Sequence, residues 1–352
     1  RHKVLRAFEV FRMLVDTDVR PNDVVLHALV TACKHSGGNQ ETATILAGIL
    51  DEMDRLSIEP NNQLSHLIIG TIGEMQHSKL AARVISSLNG GTWKHLNPDK
   101  TDCGQILKAL VAGQQNDDAL ALLDYMSDKG ILADAKLYTL VLTPHHHNNH
   151  NLHHVQRIHA HIRNNTTLEI NDSLSAALIS AYSRAGSLQD ALSTFNELSK
   201  TKPDSSHDNT AIGPSAMVAM ISAYAQHGHL DDGLPLFEGI INEGKIKPDG
   251  TLLNSIANIC LQHHLSSFRL LNLADRHGTA LPSSAYSAIL LTCTDLSQIK
   301  MAHNHLRLNL REIDDDLAST LVKVYAKQGR FSEGKAVFEN LLSSASRKGT
   351  FS

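Results

Sequence analysis

The stretch from Ala216 to Asp249, AMVAMISAYAQHGHLDDGLPLFEGIINEGKIKPD, constrains the fold of this chain more than any other. Apolar residues fall at Met220, Ile221 and Tyr224, then at Leu230, Leu234, Phe237 and Ile240. Spacings of three and four put each set on one face of a helix. His227-Gly228-His229 separates the two helices, and Lys247-Pro248-Asp249 closes the stretch because Pro248 cannot continue a helix. A hairpin of two such short helices buries too little surface alone, so it requires neighbours of its own kind.

The same pattern recurs along the chain. Residues 1–22 read as the second half of a repeat: Ala7 and Phe11 match Gly233 and Phe237, and Arg20-Pro21-Asn22 matches the terminal turn. Full repeats follow at about 23–61, 62–99, 100–134, 135–171, 172–213, 214–249, 250–283, 284–314 and 315–349. The repeat at 135–171 carries Pro144 and a run of His and Asn, and a Ser/Thr/Asn/Asp/Pro-rich stretch at 202–214 reads as a flexible loop. First-helix anchors run Leu29, Leu67, Ile106, Val141, Leu178, Met220, Ile256, Ile289 and Leu321. Their spacing of about 36 residues lies between the tetratricopeptide and HEAT periods and does not choose between them. Ala191/Phe195, Gly233/Phe237 and Gly334/Phe338 share one spacing. The expectation is a single repeat array over 1–352, and because it opens at Arg1 in mid-repeat it reads as a piece of a longer protein.

Composition agrees with an all-α solenoid. Hydrophobic residues make up 42% of the 352 residues but aromatics only 4%, the balance of small interlocking helices. Cys33, Cys103, Cys260 and Cys293 are scattered and form no CxxC pair, which points to buried thiols and neither a disulfide frame nor a zinc site. No apolar run approaches membrane-spanning length, so no membrane partner is expected. The formal net charge of −4 argues against strong non-specific binding to phosphates, and the 22 histidines offset it only where protonated.

The segments MISAYAQHG with its KPD tail, ALISAYSRAGSLQDALSTFNEL and TLVKVYAKQGRFSEGKAVFENLL resemble pentatricopeptide repeats. VQRIHAHI and MAHNHLRL resemble second helices of the longer repeats in plant-type arrays of that family. Tetratricopeptide repeats lack the recurrent Pro-Asp or Pro-Asn tail seen at Pro21, Pro60, Pro98 and Pro248. The resemblance implies a right-handed α-solenoid superhelix of stacked helix-turn-helix repeats. It implies a partner, single-stranded organellar RNA, threading a concave groove lined by first helices, one base per repeat. It also implies a mitochondrial or plastid location and a role in RNA processing, stability or translation.

Carried onto this chain, the first-helix selectors are His27, Ser65, Gly104, Thr139, Ala176, Val218, Asn254, Ser287 and Ser319, and the repeat-ending partners are Asn61, Asp99, Asp134, Asn171, Asp249, Ser283 and Asp314. Thr139 with Asn171 resembles an adenine-reading pair, Ser65 with Asp99 and Ser287 with Asp314 guanine-reading pairs, and Asn254 with Ser283 a cytosine-reading pair. His27, Gly104, Ala176 and Val218 depart from the family's readers, Gly, Ala and Val offering no side-chain hydrogen bond, and the aliphatic residue that sandwiches the base occurs once, at Val24. Among the first-helix ends, which carry His35, Arg184, Gln226 and Lys327, the phosphate contacts would be Arg184 and Lys327.

Other chemistry finds little support. His146, His150 and His154 recur at helical spacing, but Pro144 and the intervening asparagines favour a low-complexity turn over a metal site. Asn164-Asn165-Thr166-Thr167 holds glycosylation sequons, which matter only in a secreted chain. No deaminase signature, P-loop, dinucleotide fingerprint or nucleophile elbow occurs, so no enzyme activity, cofactor, metal or small-molecule substrate is expected. The net charge and the weak selectors leave a second reading open: a protein–protein scaffold in an organellar ribonucleoprotein such as the mitochondrial ribosome, with ribosomal proteins as partners.

Overall fold

The protein is described by a computed structural model over residues 2–17, 20–38, 40–143, 151–200, 213–310 and 313–348. Most of the loop expected at 202–214 lies outside these residues, as do His146 and His150. Among the described residues there are nineteen α-helices and no strand. The chain divides into two compact units, Arg1–Ile170 and Asn171–Ser352.

The N-terminal unit holds α1 (His2–Asp16), α2 (Asp23–His35), α3 (Gln40–Arg55), α4 (Asn62–Met75), α5 (Ser78–Leu88), α6 (Lys100–Ala112), α7 (Asn116–Asp128), α8 (Ala135–Leu142) and α9 (Leu152–Asn164). Successive helices pair as hairpins, and the first helices α2, α4, α6 and α8 pack on one another in order. A first helix is therefore covered by its own second helix and by first helices on both sides. That explains why α6 buries Cys103, Ile106, Leu107, Ala109, Leu110 and Val111, apolar on nearly every side. Each fully buried Leu or Ile contributes up to about 1.5–3 kcal/mol. Second helices are instead two-faced: α5 buries Leu80, Ala81, Val84, Ile85 and Leu88 and leaves Lys79 and Ser86 exposed.

Neighbouring second helices of this unit are tied by ion pairs. Arg83 of α5 reaches Asp51 and Asp54 of α3, both at 2.6 Å. On α9, Arg157 and His161 share Asp124 of α7 at 2.7 and 2.9 Å, and His154 meets Asp117 at 2.7 Å. The exposed carboxylates limit what such pairs add to stability. The short α8 stops at Leu142 because Thr143, extended at ψ 132, precedes Pro144, which disfavours a helical residue before it.

The C-terminal unit holds α10 (Asp172–Arg184), α11 (Leu188–Lys200), α12 (Pro214–Gln226), α13 (Leu230–Asn242), α14 (Gly250–Gln262), α15 (Arg269–His277), α16 (Ser283–Thr292), α17 (Leu296–Asn309), α18 (Asp315–Lys327) and α19 (Phe331–Lys348). Here too the first helices, α10, α12, α14, α16 and α18, stack in order and each pairs with its second helix. α12 buries Ala216, Met217, Ala219, Met220, Ile221, Ala223, Tyr224 and Ala225, so the stretch that announces the repeat is enclosed by α10, α13 and α14.

Seven of the nine first helices described begin at the same kind of place. Asn22, Asn61, Asp99 and Asp134 cap α2, α4, α6 and α8, and Asn171, Asp249 and Asp314 cap α10, α14 and α18, each accepting a backbone N–H from the third residue on. In seven repeats the turn into the second helix has a left-handed residue fifteen positions after the cap. Gly37, Gly186, Gly228 and Gly329 fill it with φ of 81, 85, 76 and 69°. Gln76, Gln114 and His264 hold the same conformation at φ 52, 60 and 56°, which costs a residue with a Cβ about 1 kcal/mol.

One cap is supplied from the neighbouring repeat. α12 starts at Gly213-Pro214, which has no capping side chain. Asp172, the first residue of α10, accepts N–H bonds from Gly213, Ser215 and Ala216 at 2.8, 2.9 and 2.8 Å. A Cβ at position 213 would sit 2.7 Å from the Asp172 carboxyl carbon, so glycine is what lets this carboxylate approach.

Candidate nucleic-acid interface

Counting from the caps gives a common register on the stacked first helices. The fifth residue after each cap is His27, His66, Gly104 and Thr139 in the N-terminal unit, and Ala176, Val218, Asn254, Ser287 and Ser319 in the C-terminal unit. All are exposed or half-buried, because this position lies away from the second-helix layer. Within each unit the stacking of first helices sets these side chains in one row.

Ser65 is not in that row. Asn61 caps α4, so Ser65 is the fourth residue after the cap. It is 5% exposed and donates its hydroxyl to the Asn62 carbonyl at 2.9 Å. The exposed residue at the matching position is His66. Successive apolar residues Leu67, Ile68 and Ile69 invite an anchor one place early, whereas counting five from Asn61 finds the right one.

The other predicted selectors fall as follows. Thr139 is half-buried and donates to the Ala135 carbonyl at 2.7 Å, leaving only its oxygen lone pairs to face a ligand. Asn254 accepts from the Ser284 hydroxyl at 3.0 Å, which leaves its amide N–H groups outward. Ser283 is the first residue of α16, and Pro282 holds the cap position, so the structure brings Asn254 to Ser284 and gives that repeat no polar end residue. Ser287 is half-buried on α16, and Asp314 caps α18 through Leu317 N–H at 2.8 Å. Asn171 caps α10 through Leu174 N–H at 2.9 Å.

The repeat-ending residues are therefore helix caps first. Two are further occupied: Asn61 donates its amide to Asp23 at 2.7 Å, and Asp134 pairs with Lys100 at 2.5 Å. Burial works against ionisation of Asp134, but Lys100 and Leu137 N–H still hold its carboxyl below the usual range. Leu252 N–H and the Thr251 hydroxyl do the same for Asp249.

Asp99 lies in a cluster of three ionisable side chains. It accepts Asp102 N–H at 2.8 Å while Asp102 accepts Asp99 N–H at 3.1 Å, a capping box. The same Asp102 carboxylate oxygen meets Nδ1 of His66. Asp102 is buried, His66 stays half open, and one polar side-chain atom from each of His66, Asp99 and Asp102 lies within 4.8 Å of the other two. The bond to Asp102 raises the imidazole pKa above its ordinary value, outweighing desolvation, with the charges of Asp102 and Asp99 adding to the rise. His66 and Asp102 were not among the sequence candidates; their pairing joins residues from different repeats.

Positive charge is sparse on the first helices. Lys34 pairs with Glu74 at 2.9 Å and Lys100 with Asp134. Arg184, at the end of α10, is half-buried, and desolvation lowers its pKa. Lys327, at the matching end of α18, is exposed, while Gln226 accepts from the Ser183 hydroxyl at 2.8 Å. Among the described residues no helix is long and apolar enough to cross a membrane.

Residues 176–200, 215–244 and 318–344 match the PPR repeat model. Among solved structures the chain is similar to the pentatricopeptide repeat protein PPR10 from maize. The TM-score is 0.54 at 17% identity, over 97% of this chain and 42% of that one. It is also similar to PPR10 in complex with an 18-nt psaJ RNA element, with a TM-score of 0.37 at 16% identity, over 97% of this chain and 62% of that one. At 17% identity the likeness to the first of these shows the fold alone, and the chain spans less than half the length of that structure. No curated protein matches the chain in sequence.

Proposed function

We propose, on the premise that this chain is a PPR-repeat protein, that it binds single-stranded RNA along the exposed faces of its first helices. The observation that carries this reading is the polar side chains in register within each unit, His27, His66 and Thr139 in the first and Asn254, Ser287 and Ser319 in the second, all but Ser287 on helices that begin at polar caps. Each of these side chains offers a base a donor or acceptor, and a mismatched base leaves a polar group unpaired, which costs affinity. In this reading His66 with Asp99, and Ser287 with Asp314, read one base each. Asn254 reads through its amide, Thr139 and Asn171 contribute in their own units, and Lys327 contacts phosphate. Arg184 contributes less because it is half-buried. The protein acts without catalysis, in a mitochondrion or plastid, on the processing, stability or translation of organellar RNA.

Titration of the chain with random-sequence RNA pools, at low and moderate salt, tests the reading. Enrichment of a sequence with affinity that falls as salt rises is the expected result. No enrichment, together with weak binding even at low salt, overturns it.

The net charge of −4 and the pairing of Lys34 and Lys100 with acids support a second reading, a scaffold within an organellar ribonucleoprotein. In that case the chain stays with its assembly after RNase treatment. Release as a free monomer favours the first reading.

A further inference from the structure

His66 faces outward from α4 at the matching position of the row, with its Nδ1 against a buried carboxylate oxygen of Asp102. That oxygen is an acceptor already taking Asp99 N–H, and the capping box holds it in place. A bare Nδ1 there would set two lone pairs against each other, so Nδ1 carries the proton. This fixes the tautomer and leaves Nε2 as the outward atom. Nε2 is an acceptor when the ring is neutral and a donor when it is charged. Asp99, exposed at the start of the same cluster, uses Oδ1 to cap α6 and has a second carboxylate oxygen to offer as an acceptor.

Resting on the RNA-binding reading above, we infer that this repeat reads its base through a proton: His66 and Asp99 select guanine when His66 is neutral and accept any base when it is charged. The reason is the order of donors and acceptors on base edges. Neutral His66 with Asp99 presents two acceptors, and guanine alone has two adjacent donors, N1–H and N2–H, on its Watson–Crick edge. Charged His66 with Asp99 presents a donor beside an acceptor. Adenine, cytosine, uracil and guanine all carry an adjacent acceptor and donor that match it. Carboxylates acting on the ring are Asp102 of α6 and Asp99, its cap; α5, also packed on α4, carries Lys79 and Arg83, the latter tied to Asp51 and Asp54. On α2, packed against the other side of α4, the matching position is His27, and the charged pair Lys34 with Glu74 sits at the far end of these helices. Lys100, first residue of α6, is tied to Asp134. The charged form thus has two acidic neighbours, and selectivity is set in the range where the raised imidazole pKa is crossed.

The experiment selects RNA pools on the full chain at pH 6 and at pH 8.5, then measures affinity for single-base variants at each enriched position. The expected result is one position where guanine is preferred about tenfold at pH 8.5 and where the preference disappears at pH 6. His66→Gln, whose amide offers both donor and acceptor at any pH, makes that position indifferent to pH. Asp99→Asn, which still caps α6, loses the guanine preference at pH 8.5. Circular dichroism of each variant confirms the fold. Binding with the same base preferences at both pH values, or a pH effect that survives in His66→Gln, overturns the inference and leaves RNA binding standing. Absence of RNA binding at either pH overturns both.

Discussion

Two of the three repeats that match the family model and the two repeats from α4 to α7 solve the same folding problem with different residues. In the C-terminal unit, the repeats starting at α10 and α12 turn on Gly186 and Gly228 and pack through alanine-rich first helices. Their row positions are Ala176 and Val218, which have nothing to offer a base. In the N-terminal unit, the repeats starting at α4 and α6 make the same turn through Gln76 and Gln114 in a strained conformation. Yet they carry His66, Asp99 and Asp102, three ionisable side chains gathered in one cluster. Repeat identity is written in buried and turn positions, reading capacity in a few exposed ones. The two vary independently because they rest on different physics: packing and backbone geometry in one case, unpaired hydrogen-bonding atoms in the other.

The sharpest way to break the comparison is at the cap that one repeat lends another. Asp172→Ala removes the acceptor of three backbone N–H groups at the start of α12 and should cost about 2 kcal/mol, more than an ordinary cap. Hydrogen exchange should show faster exchange at the first turn of α12, with the N-terminal unit unaffected. If protection at α12 is unchanged, the shared cap contributes nothing.

Next in size are the turns. Gly186→Ala and Gly228→Ala place a Cβ in the left-handed region and should each destabilise by about 1 kcal/mol in urea unfolding. Gln76→Gly and Gln114→Gly should run the other way, stabilising by about 0.5 kcal/mol once the greater backbone freedom of unfolded glycine is counted. Equal effects of the same sign in both units would remove the distinction drawn between them.

The smallest effect concerns pH. His66 gains a carboxylate partner on folding, so its pKa is raised in the folded protein. Its contribution to stability is full below the ordinary imidazole pKa of about 6.5 and is lost as pH rises through the raised value. The half-exposed ring keeps this contribution small. Comparing the melting of the wild type and His66→Gln from pH 5.5 to 8.5 should show a shallow decline with pH that the variant lacks. The reverse slope would contradict the His66–Asp102 bond.

Much of this was legible in the chain before any coordinates. The three- and four-residue spacing of Met220, Ile221 and Tyr224 and of Leu230, Leu234 and Phe237 specifies two helices, and Pro248-Asp249 specifies where the next begins, because proline stops one helix and aspartate caps another. The all-α solenoid follows from that. The row was harder to place. Leu67, Ile68 and Ile69 are three apolar residues in succession, so apolar periodicity alone fits two registers, and only the capping bond of Asn61 separates Ser65 from His66. Pro282 hid a second boundary, since a cap without an acceptor side chain leaves no mark. The bond of Asp172 to the start of α12 and that of His66 to Asp102 join residues of adjacent repeats, and no local pattern reports them.

What folds a repeat and what lets it read are independent of each other. Replacing Val218 with Asn, and separately His66 with Ala, and repeating the RNA pool selection tests this directly. The account predicts that Val218→Asn adds a base preference at one position where the wild type has none, and that His66→Ala erases one, with both proteins folded as before. Enriched sequences identical to those of the wild type in both variants would contradict it.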